Sequence, residues 1–217
     1  MKLITLDFEG TMVDFQWKLD EAVDRTLGLL SSMGVPGDIF SGMDYAGIYN
    51  LVRQKEEDWG FPVNHLGVLL DQLYDHYDLD AASRWRPVDG LAEVLDRLGG
   101  YSTALVSNVG KRGLMEALAK MGVGKSFGLI VTRNDVSQLK PAGEGLLKAM
   151  EWAGAVKENT LHVGDSLSDL GAARKAGVRA AIVLGGENPP EMLARHKPDI
   201  LLDKLSQLPE ALKSINF

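Results

Sequence analysis

The amino-acid sequence predicts an α/β protein, a doubly wound parallel sheet with an inserted all-helical cap. Short apolar segments rich in branched residues alternate with stretches of helical spacing, and this alternation is typical of parallel strands covered by helices. The alternation is interrupted between residues 15 and 86, where only helical patterns occur. An interruption of this kind after the first strand indicates a separate helical unit inserted into the sheet domain.

The predicted strands are short apolar runs at residues 3–6, 102–106, 129–132, 160–163 and 179–184. Continuous apolar runs of this length favour strands that are buried on both faces. Between them, apolar residues recur at helical spacing in four groups, which are Leu91, Val94, Leu95 and Leu98; Leu114, Leu118 and Met121; Leu146, Leu147, Met150 and Trp152; and Leu170, Ala173 and Ala176. The order of strands and helices therefore predicts crossover connections within one parallel sheet.

The interrupting block contains helical patterns at residues 19–33, 46–59 and 66–77. Turn residues separate them, namely Gly34-Val35-Pro36-Gly37 and Gly60-Phe61-Pro62. We therefore expect residues 1–14 and 87–217 to form an α/β core and residues 15–86 to form a helical cap. Pro87 is well placed to stiffen the connection that returns to the core.

The composition narrows the class of protein. The chain has 217 residues, of which 45% are hydrophobic and 24% are charged, as in ordinary globular proteins. It has no cysteine, which excludes disulfides, cysteine zinc sites and a thiol nucleophile. The net charge of -7 argues against nucleic acid or an anionic membrane as a partner. Only residues 3–6 separate Met1-Lys2 from Asp7, and no apolar run is long enough to span a bilayer, so we expect a cytoplasmic protein.

Polar residues follow the predicted strands where each strand ends. Asp7 follows the first strand, Ser107 and Asn108 follow the second, and Asp165 follows the fourth. Lys140 comes after the third strand and a short loop. Ligands of a doubly wound sheet bind beyond the carboxyl ends of its strands, so these side chains are expected to meet in one crevice.

This set of side chains suits a phosphate monoester. Asp7 and Asp165 could share a magnesium ion, which prefers oxygen ligands and offsets the repulsion between carboxylate and phosphate. Ser107 could donate its hydroxyl to a phosphate oxygen, and backbone amides after Asn108 could add partial positive charge. Lys140 could pair with both Asp7 and the phosphate.

Each motif alone has a structural interpretation. An aspartate after a strand often caps a helix, a Ser-Asn pair is typical of turns, and a Lys-Pro pair is typical of solvated loops. Their joint order along the chain favours a phosphate site instead: DFEGT at residues 7–11, then SN, then KP, then GDSLSD at residues 164–169.

These four motifs resemble those of the haloacid dehalogenase-like hydrolases, and residues 160–178 (TLHVGDSLSDLGAARKAGV) are the most specific part. The resemblance covers essentially the whole chain and implies a Rossmann-like core. The helical block resembles the cap of the phosphoglycolate phosphatase-like branch, in which closure excludes water. The resemblance therefore implies a magnesium-dependent phosphatase that acts on a small phosphorylated metabolite.

The resemblance also implies roles for individual residues. Asp7 would be the nucleophile and a magnesium ligand, with the backbone carbonyl of Phe8 and the carboxylate of Asp165 as further ligands. The phosphate would bind to Ser107, Asn108 and Lys140. Two residues would lie behind the ligands, Thr11 and Asp169, the latter orienting Lys140 or a metal-bound water.

Position 9 departs from the family pattern, in which the residue two after the nucleophile is ordinarily aspartate. Glu9 retains the chemistry of a general acid, because the unperturbed pKa values of glutamate and aspartate are about 4.3 and 3.9. Its extra methylene moves the carboxyl group by about 1.5 Å if the backbone is unchanged. We therefore expect reduced turnover, and from the sequence alone we expect Glu9→Asp to keep or raise activity.

Two other functions are compatible with these motifs. The chain could bind a phosphorylated ligand or protein partner with weak or no catalysis, or it could be a phosphomutase or dehalogenase on the same scaffold. A dehalogenase needs neither the metal nor an acid at position 9, so Asp165 and Glu9 argue against it. The expected oligomeric state is a monomer or a homodimer.

Other polar and aromatic residues carry weaker signals. The histidines show no metal-ligand spacing, and His162 is predicted to pack within its strand. The cap cations Lys18, Arg53 and Lys55 could meet an anionic leaving group, although a solvated helix face is favoured. The cap aromatics are expected to form mostly cap core with a minority lining the substrate pocket, and they are Trp17, Tyr45, Tyr49, Trp59, Tyr74 and Tyr77.

Overall fold

The computed structural model describes residues 1–215 and 217. Its centre is a six-stranded sheet with the order β3-β2-β1-β4-β5-β6, in which every neighbouring pair is parallel. The strands are β1 (Leu3–Leu6), β2 (Ser102–Val106), β3 (Leu129–Val131), β4 (Thr160–Gly164), β5 (Arg179–Val183) and β6 (Ile200–Leu202). This architecture confirms the predicted α/β fold with a doubly wound parallel sheet.

The sixth strand, β6, was not predicted from the sequence. It has three residues, it lies at the edge of the sheet, and it pairs with β5 through Val183 and Leu202. Only Leu202 of β6 is buried, whereas Leu201 is 44% exposed. A segment this short with one buried side chain has no recognisable periodicity, so only its pairing with β5 identifies it.

Helices cover both faces of the sheet and form the inserted helical block. They are α1 (Leu19–Ser32), α2 (Tyr45–Lys55), α3 (His65–Ala82), α4 (Leu91–Arg97), α5 (Lys111–Met121), α6 (Glu144–Ala153), α7 (Leu167–Ala176), α8 (Pro190–Arg195) and α9 (Leu208–Ser214). One face packs against α4, α5 and α9, and the other packs against α6, α7 and α8. Within the part of the chain that the structure describes, no helix combines the length and apolarity needed to cross a bilayer.

The alternation of side chains along β1 explains why both faces are apolar. Ile4 and Leu6 point into the core formed with α4, α5 and α9, whereas Leu3 points into the core formed with α6 to α8. These side chains are fully buried. Burying one such side chain stabilises the fold by about 1.5–3 kcal/mol, so a strand that is apolar on both faces contributes to two cores.

Helices α1, α2 and α3, the helical block, have a separate apolar core that includes Leu30, Ile48, Leu66 and Leu70. Two chain segments connect the block to the sheet domain, and they lie side by side. Asp14 N–H donates to the Arg86 carbonyl at 3.0 Å, and Val88 N–H donates to the Met12 carbonyl at 3.0 Å. The division into a core and a cap at residues 15–86 stays a prediction.

The helix bounds differ from the sequence prediction in α2, which ends at Lys55 instead of near residue 59, and in α3, which continues to Ala82 instead of ending near residue 77. The additional turn is held by Asp78, which is 2% exposed and bonded to the core, and by Ala81, which is fully buried. A charged residue in a local pattern is normally assigned to the solvent, so the sequence did not indicate this turn.

Candidate active site

The carboxyl ends of β1, β2 and β4 form one edge of the sheet. Strand β1 pairs with both neighbours, so that Leu6 lies opposite Leu105 on one side and Val163 on the other. The pairing continues one residue further, because Asp7 N–H donates to the Val163 carbonyl at 2.8 Å. The residues after these strands are therefore brought to the same crevice, as the strand-end rule predicts.

Lys140 occupies the centre of this crevice. Its Nζ lies 2.7 Å from Asp7 Oδ1 and donates to Asp169 Oδ1 at 2.6 Å. Burial alone would lower the pKa of Lys140, but the carboxylates of Asp169 and Asp7 raise it above its ordinary value. Lys140 is therefore a buried, permanently charged group directly beside Asp7.

Asn108 positions Lys140 through the backbone of that residue. Lys140 N–H donates to Asn108 Oδ1 at 3.0 Å, and Asn108 Nδ2 donates to the Lys140 carbonyl at 3.1 Å. The same Nδ2 lies 3.2 Å from the Tyr45 hydroxyl. The amide of Asn108 is thus occupied by the chain that carries Lys140, and direct contact of Asn108 with a substrate stays a prediction.

Ser107 lies at the end of β2, is 5% exposed and lines the cavity beside Asp7 and Lys140. Its Oγ accepts a hydrogen bond from Val109 N–H at 3.3 Å. Because the hydroxyl serves as the acceptor in this bond, its own proton is free to be donated to a phosphate oxygen.

Asp165 is held in a cradle made by two glycines. A Cβ on Gly10 would lie 2.2 Å from Asp165 Oδ2, and a Cβ on Gly186 would lie 2.0 Å from the same atom. Asp165 Oδ1 accepts from the Thr11 hydroxyl at 2.9 Å, and Oδ2 accepts from Glu187 N–H at 2.7 Å. Thr11 therefore lies behind Asp165 and orients it.

Asp169 is committed to its protein neighbours. Its Oδ2 accepts from the Ser166 hydroxyl at 2.6 Å and its Oδ1 contacts both Lys140 and His162. Burial opposes its ionisation, but Lys140 and His162 outweigh burial and hold the pKa of Asp169 below its ordinary range. Asp169 is therefore placed to orient Lys140.

Three carboxylates form a cluster that fits a divalent cation. Oxygens of Asp7, Asp165 and Asp169 lie within 4.8 Å of one another. Burial raises the pKa of both Asp7 and Asp165, and the neighbouring Asp169 raises both further. Among the described residues, Lys140 is the one lysine or arginine that pairs with these three acids. A hard cation with oxygen ligands would remove this excess of negative charge, and Asp7 and Asp165 are the carboxylates placed to bind it.

The backbone carbonyl of Phe8 does not face this cluster. It accepts hydrogen bonds from the backbone N–H groups of Thr11, Met12 and Val13, at 3.3, 2.8 and 3.2 Å. The carbonyl is therefore turned into the loop that follows β1. This geometry corrects the prediction that the Phe8 carbonyl is a metal ligand, because its lone pairs are already used by the turn.

Glu9 is anchored at one carboxylate oxygen. Its Oε1 accepts from Gln16 N–H at 2.7 Å and from Trp85 Nε1 at 2.8 Å. Burial raises the pKa of Glu9 to about 7, against the opposing effect of the bonds from Trp85 and Gln16. The indole of Trp85 is itself fixed by an edge-to-face contact with Phe8, at 4.9 Å between ring centroids. These contacts therefore hold the carboxyl group of the longer glutamate side chain in one position.

His162 packs within β4, as its sequence position predicts, and it also contacts the site. Its Nε2 lies 3.0 Å from Asp169 Oδ1, and its Nδ1 lies 2.9 Å from the Thr5 hydroxyl. With Nε2 donating to the carboxylate, the ring helps to hold Asp169 against Lys140. The local sequence showed only an apolar strand, so this role was not predicted.

The helical block covers the crevice and leaves a cavity of about 30 Å³. Its lining combines core and block residues, including Asp7, Glu9, Phe15, Trp17, Leu19, Tyr45, Asp78, Ser107, Asn108, Lys140, Ser168 and Glu187. Sequence reasoning missed Ser168 and Glu187. Glu187 follows the end of β5, so the strand-end rule would have identified it if it had been applied to that strand.

Arg133 joins the helical block to the core. It follows β3, it is 1% exposed, and it binds Asp71 at 3.0 Å and Asp78 at 2.8 Å, with Asp75 as a third carboxylate. Asp78 also accepts from Gly110 N–H at 2.8 Å. Helix α3 is therefore bonded to the loop after β2, which brings the block over the site.

The chain is similar to known proteins over most of its length. Residues 4–183 match the family described as haloacid dehalogenase-like hydrolase. Phosphoglycolate phosphatase 1 of Pseudomonas aeruginosa is 30% identical over 216 residues, which cover 95% of this chain and 78% of that protein. The phosphoglycolate phosphatase of Salmonella typhimurium is 29% identical over 233 residues, covering 96% of this chain and 91% of that protein.

Solved structures share the fold. A hydrolase from Pseudomonas syringae has a TM-score of 0.70 at 19% identity and covers 99% of both chains. A conserved haloacid dehalogenase-like protein of unknown function from Agrobacterium tumefaciens has a TM-score of 0.67 at 23% identity and covers 100% of both chains. At these identities, the likeness supports the fold and not a particular activity.

Proposed function

Because this chain belongs to the haloacid dehalogenase-like hydrolases, we propose that it is a phosphatase that hydrolyses a small phosphate monoester through an aspartyl-phosphate on Asp7. The family membership supports a phosphoric monoester hydrolase. We also propose that the activity depends on magnesium and that individual residues of the site have specific roles in it.

One observation carries the proposal. The ammonium group of Lys140 lies within hydrogen-bonding distance of Asp7 and Asp169, at 2.7 and 2.6 Å, in a crevice that Ser107 also lines. An anionic phosphoryl group can approach a carboxylate nucleophile only if its charge is neutralised. Lys140 supplies positive charge at the point of attack, and the Ser107 hydroxyl supplies a donor for a phosphate oxygen.

We propose that Asp7 and Asp165 hold Mg²⁺, which when bound would neutralise the phosphoryl group and the two carboxylates. The backbone carbonyl of Glu9 replaces Phe8 as the candidate third ligand. The turn uses the Phe8 and Val13 carbonyls in its hydrogen bonds and leaves that of Glu9 unused among the described backbone contacts. Asp169 remains a residue that orients Lys140.

In the first step, an Asp7 carboxylate oxygen attacks phosphorus and the bond from phosphorus to the alcohol oxygen breaks. Glu9 donates a proton to the departing oxygen, which leaves as a hydroxyl group instead of an alkoxide. The products are the acyl-phosphate on Asp7 and the carboxylate of Glu9. Lys140 and Ser107 hold the phosphoryl oxygens during the transfer.

In the second step, Glu9 accepts a proton from a water molecule whose oxygen attacks phosphorus. The bond between phosphorus and the Asp7 oxygen breaks, which releases inorganic phosphate and restores both carboxyl groups. We propose that residues 15–86 act as a cap over a core of residues 1–14 and 87–217. A cavity of about 30 Å³ is too small for a phosphate monoester, so the cap opens to admit the substrate.

The test is hydrolysis of p-nitrophenyl phosphate with and without Mg²⁺ by the wild-type chain, the Asp7→Asn variant and the Asp203→Asn variant. Asp203 is exposed and follows β6, so its variant is a matched control for the loss of one carboxylate. We expect Mg²⁺-dependent turnover that Asp7→Asn abolishes and Asp203→Asn retains. Turnover that is unchanged in Asp7→Asn would refute the proposal.

The intermediate is tested separately by rapid quenching followed by mass spectrometry of the peptide that contains Asp7. We expect a phosphoryl group on this peptide that hydroxylamine removes, because acyl-phosphates react with this nucleophile. Binding of phosphate esters without release of phosphate would indicate a binding protein, and an isomeric sugar phosphate as product would indicate a phosphomutase.

A further inference from the structure

The described residues that line the cavity offer no free positive charge to the alcohol part of a substrate. Lys140 is the single basic residue among the described residues that line it, and this lysine is engaged by Asp7 and Asp169. Any charge on the leaving group must therefore be accommodated by other side chains.

The cations of the helical block lie elsewhere. Lys18 pairs with Asp80 at 3.1 Å, and Lys55 pairs with Asp58 at 2.8 Å on an exposed face. Arg53 lines a different recess, on the side of the block that contains Arg133. Within the described part of the chain, no cation of the helical block therefore lines the closed cavity to pair with a carboxylate on the leaving group.

The acidic residues that line the cavity differ in whether another group already uses them. Asp78 is paired with Arg133 at 2.8 Å, and Glu9 is assigned to proton transfer in the proposed mechanism. Glu187 lines the cavity and has no ion pair among residues 1–215 and 217. It also borders an adjoining groove whose other acids are Asp20, Asp24 and Asp44, and no basic residue that the structure describes lines this groove.

Two further features of the lining suit a cation with N–H donors. Trp17 and Tyr45 both line the cavity, their ring centroids lie 4.7 Å apart, and aromatic rings attract ammonium groups. Ser168 Oγ is buried in the cavity wall and has no hydrogen-bond partner among the described residues. This hydroxyl can accept a hydrogen bond from an ammonium group.

We propose that the substrate is a phosphate monoester of an alcohol that carries a protonated amine, with the amine held by Glu187, Ser168 and the aromatic pair Trp17 and Tyr45. This inference rests on the proposed phosphatase function and narrows it. The proposed substrate differs from phosphoglycolate, the compound in the names of the relatives, because phosphoglycolate carries a carboxylate where the proposed substrate carries an amine.

The test uses three esters of nearly equal size, which are phosphoethanolamine, 2-hydroxyethyl phosphate and phosphoglycolate. Their leaving groups are cationic, neutral and anionic. We expect kcat/KM with Mg²⁺ to fall in this order, and the amine to exceed the carboxylate by at least about tenfold, a difference of about 1.4 kcal/mol. A carboxylate ester that is hydrolysed as well as the amine ester would overturn the inference.

A variant of Glu187 tests whether this residue causes the preference for the amine ester over the carboxylate ester. In Glu187→Gln we expect the ratio of amine to carboxylate kcat/KM to fall at least about threefold, as expected when one nearby charge is removed. Glu191→Gln changes an exposed glutamate on the next helix and should keep the wild-type ratio. An equal ratio in wild type and Glu187→Gln would contradict the role of this residue.

A binding measurement keeps this inference independent of catalysis. The three esters are titrated calorimetrically into the Asp7→Asn variant, and we expect the amine ester to bind most tightly. Absence of p-nitrophenyl phosphate turnover in the wild type would refute the proposed phosphatase function. The binding order would still support or overturn the proposed amine preference.

Discussion

Shortening Glu9 tests whether this site is built around glutamate. In the structure, Oε1 of Glu9 accepts from Gln16 N–H at 2.7 Å and from Trp85 Nε1 at 2.8 Å. Glu9→Asp withdraws the carboxyl group by about 1.5 Å, so that neither donor remains within hydrogen-bonding distance unless the backbone moves. The structure therefore reverses the expectation from the sequence alone, which favoured aspartate as the residue usual in the family.

The expected loss in kcat is estimated from how far the carboxyl group of residue 9 is misplaced. Hydrogen bonds to a charged group contribute about 1.5–3 kcal/mol each, so the loss of two frees the carboxylate to leave its fixed orientation. A catalytic group misplaced by about 1 Å can lose about 100-fold in rate. We therefore expect Glu9→Asp to lower kcat by about 10–100-fold and Glu9→Gln, which cannot donate a proton as an acid, by about 10²–10⁴-fold.

The assay compares two substrates that differ in their need for a general acid. The alcohol of 2-hydroxyethyl phosphate is a poor leaving group and needs protonation, whereas p-nitrophenolate leaves readily without it. The loss in kcat should therefore be larger for 2-hydroxyethyl phosphate in both variants. Circular dichroism and thermal unfolding should show that each variant is folded.

Trp85→Phe is the matched variant for the anchor. In the wild-type chain the ring centroids of Trp85 and Phe8 lie 4.9 Å apart. The variant keeps a ring against Phe8 but removes the indole N–H that binds Glu9. We expect a decrease in kcat in the same direction as Glu9→Asp and smaller, because Gln16 N–H remains. Activity of a folded Glu9→Asp variant at or above the wild-type level would refute this reasoning.

The remaining predictions concern the contact between Arg133 and the helical block, and the two glycines that surround Asp165. Arg133→Met leaves the buried carboxylate of Asp78 without its cation, so we expect the free energy of unfolding in urea to fall by about 3–5 kcal/mol. Arg97→Met, which removes an exposed ion pair, should change it by less than about 1 kcal/mol, and equal effects would contradict the prediction. Gly186→Ala places a methyl group 2.0 Å from Asp165 Oδ2, so we expect the Mg²⁺ concentration for half-maximal activity to rise at least about tenfold, as is typical when the groups that orient a metal ligand are changed. Gly28→Ala has no atom within 4 Å of the new methyl group and should leave the Mg²⁺ requirement unchanged; an unchanged requirement in Gly186→Ala would show that Asp165 does not bind the metal.

Much of the fold could be predicted because its signals are local. The five strands predicted from apolar runs all form, since a strand buried on both faces requires apolar residues at consecutive positions. The position of Asp7, Lys140 and Asp165 around one crevice follows from the same pattern, because parallel strands end at the same edge of the sheet.

Several contacts of the site could not be predicted from such local patterns. Glu9 is bonded to Trp85, which is 76 residues away in the chain, and Arg133 is bonded to Asp71, which is 62 residues away. No period of a strand or a helix relates these residues. The direction of the Phe8 carbonyl is likewise set by a turn whose backbone hydrogen bonds cannot be derived from residue types.

The sequence by itself determined which chemical groups stand at the ends of the strands, because a parallel sheet converts position in the chain into position at one edge. Only the tertiary structure decided how those groups are held and what surrounds them. The anchoring of Glu9, the glycine cradle of Asp165 and the acidic, aromatic lining contributed by Glu187 and Tyr45 all arise where separate elements pack together. Distances between elements depend on the packing of the whole chain, and local residue patterns carry no information about them.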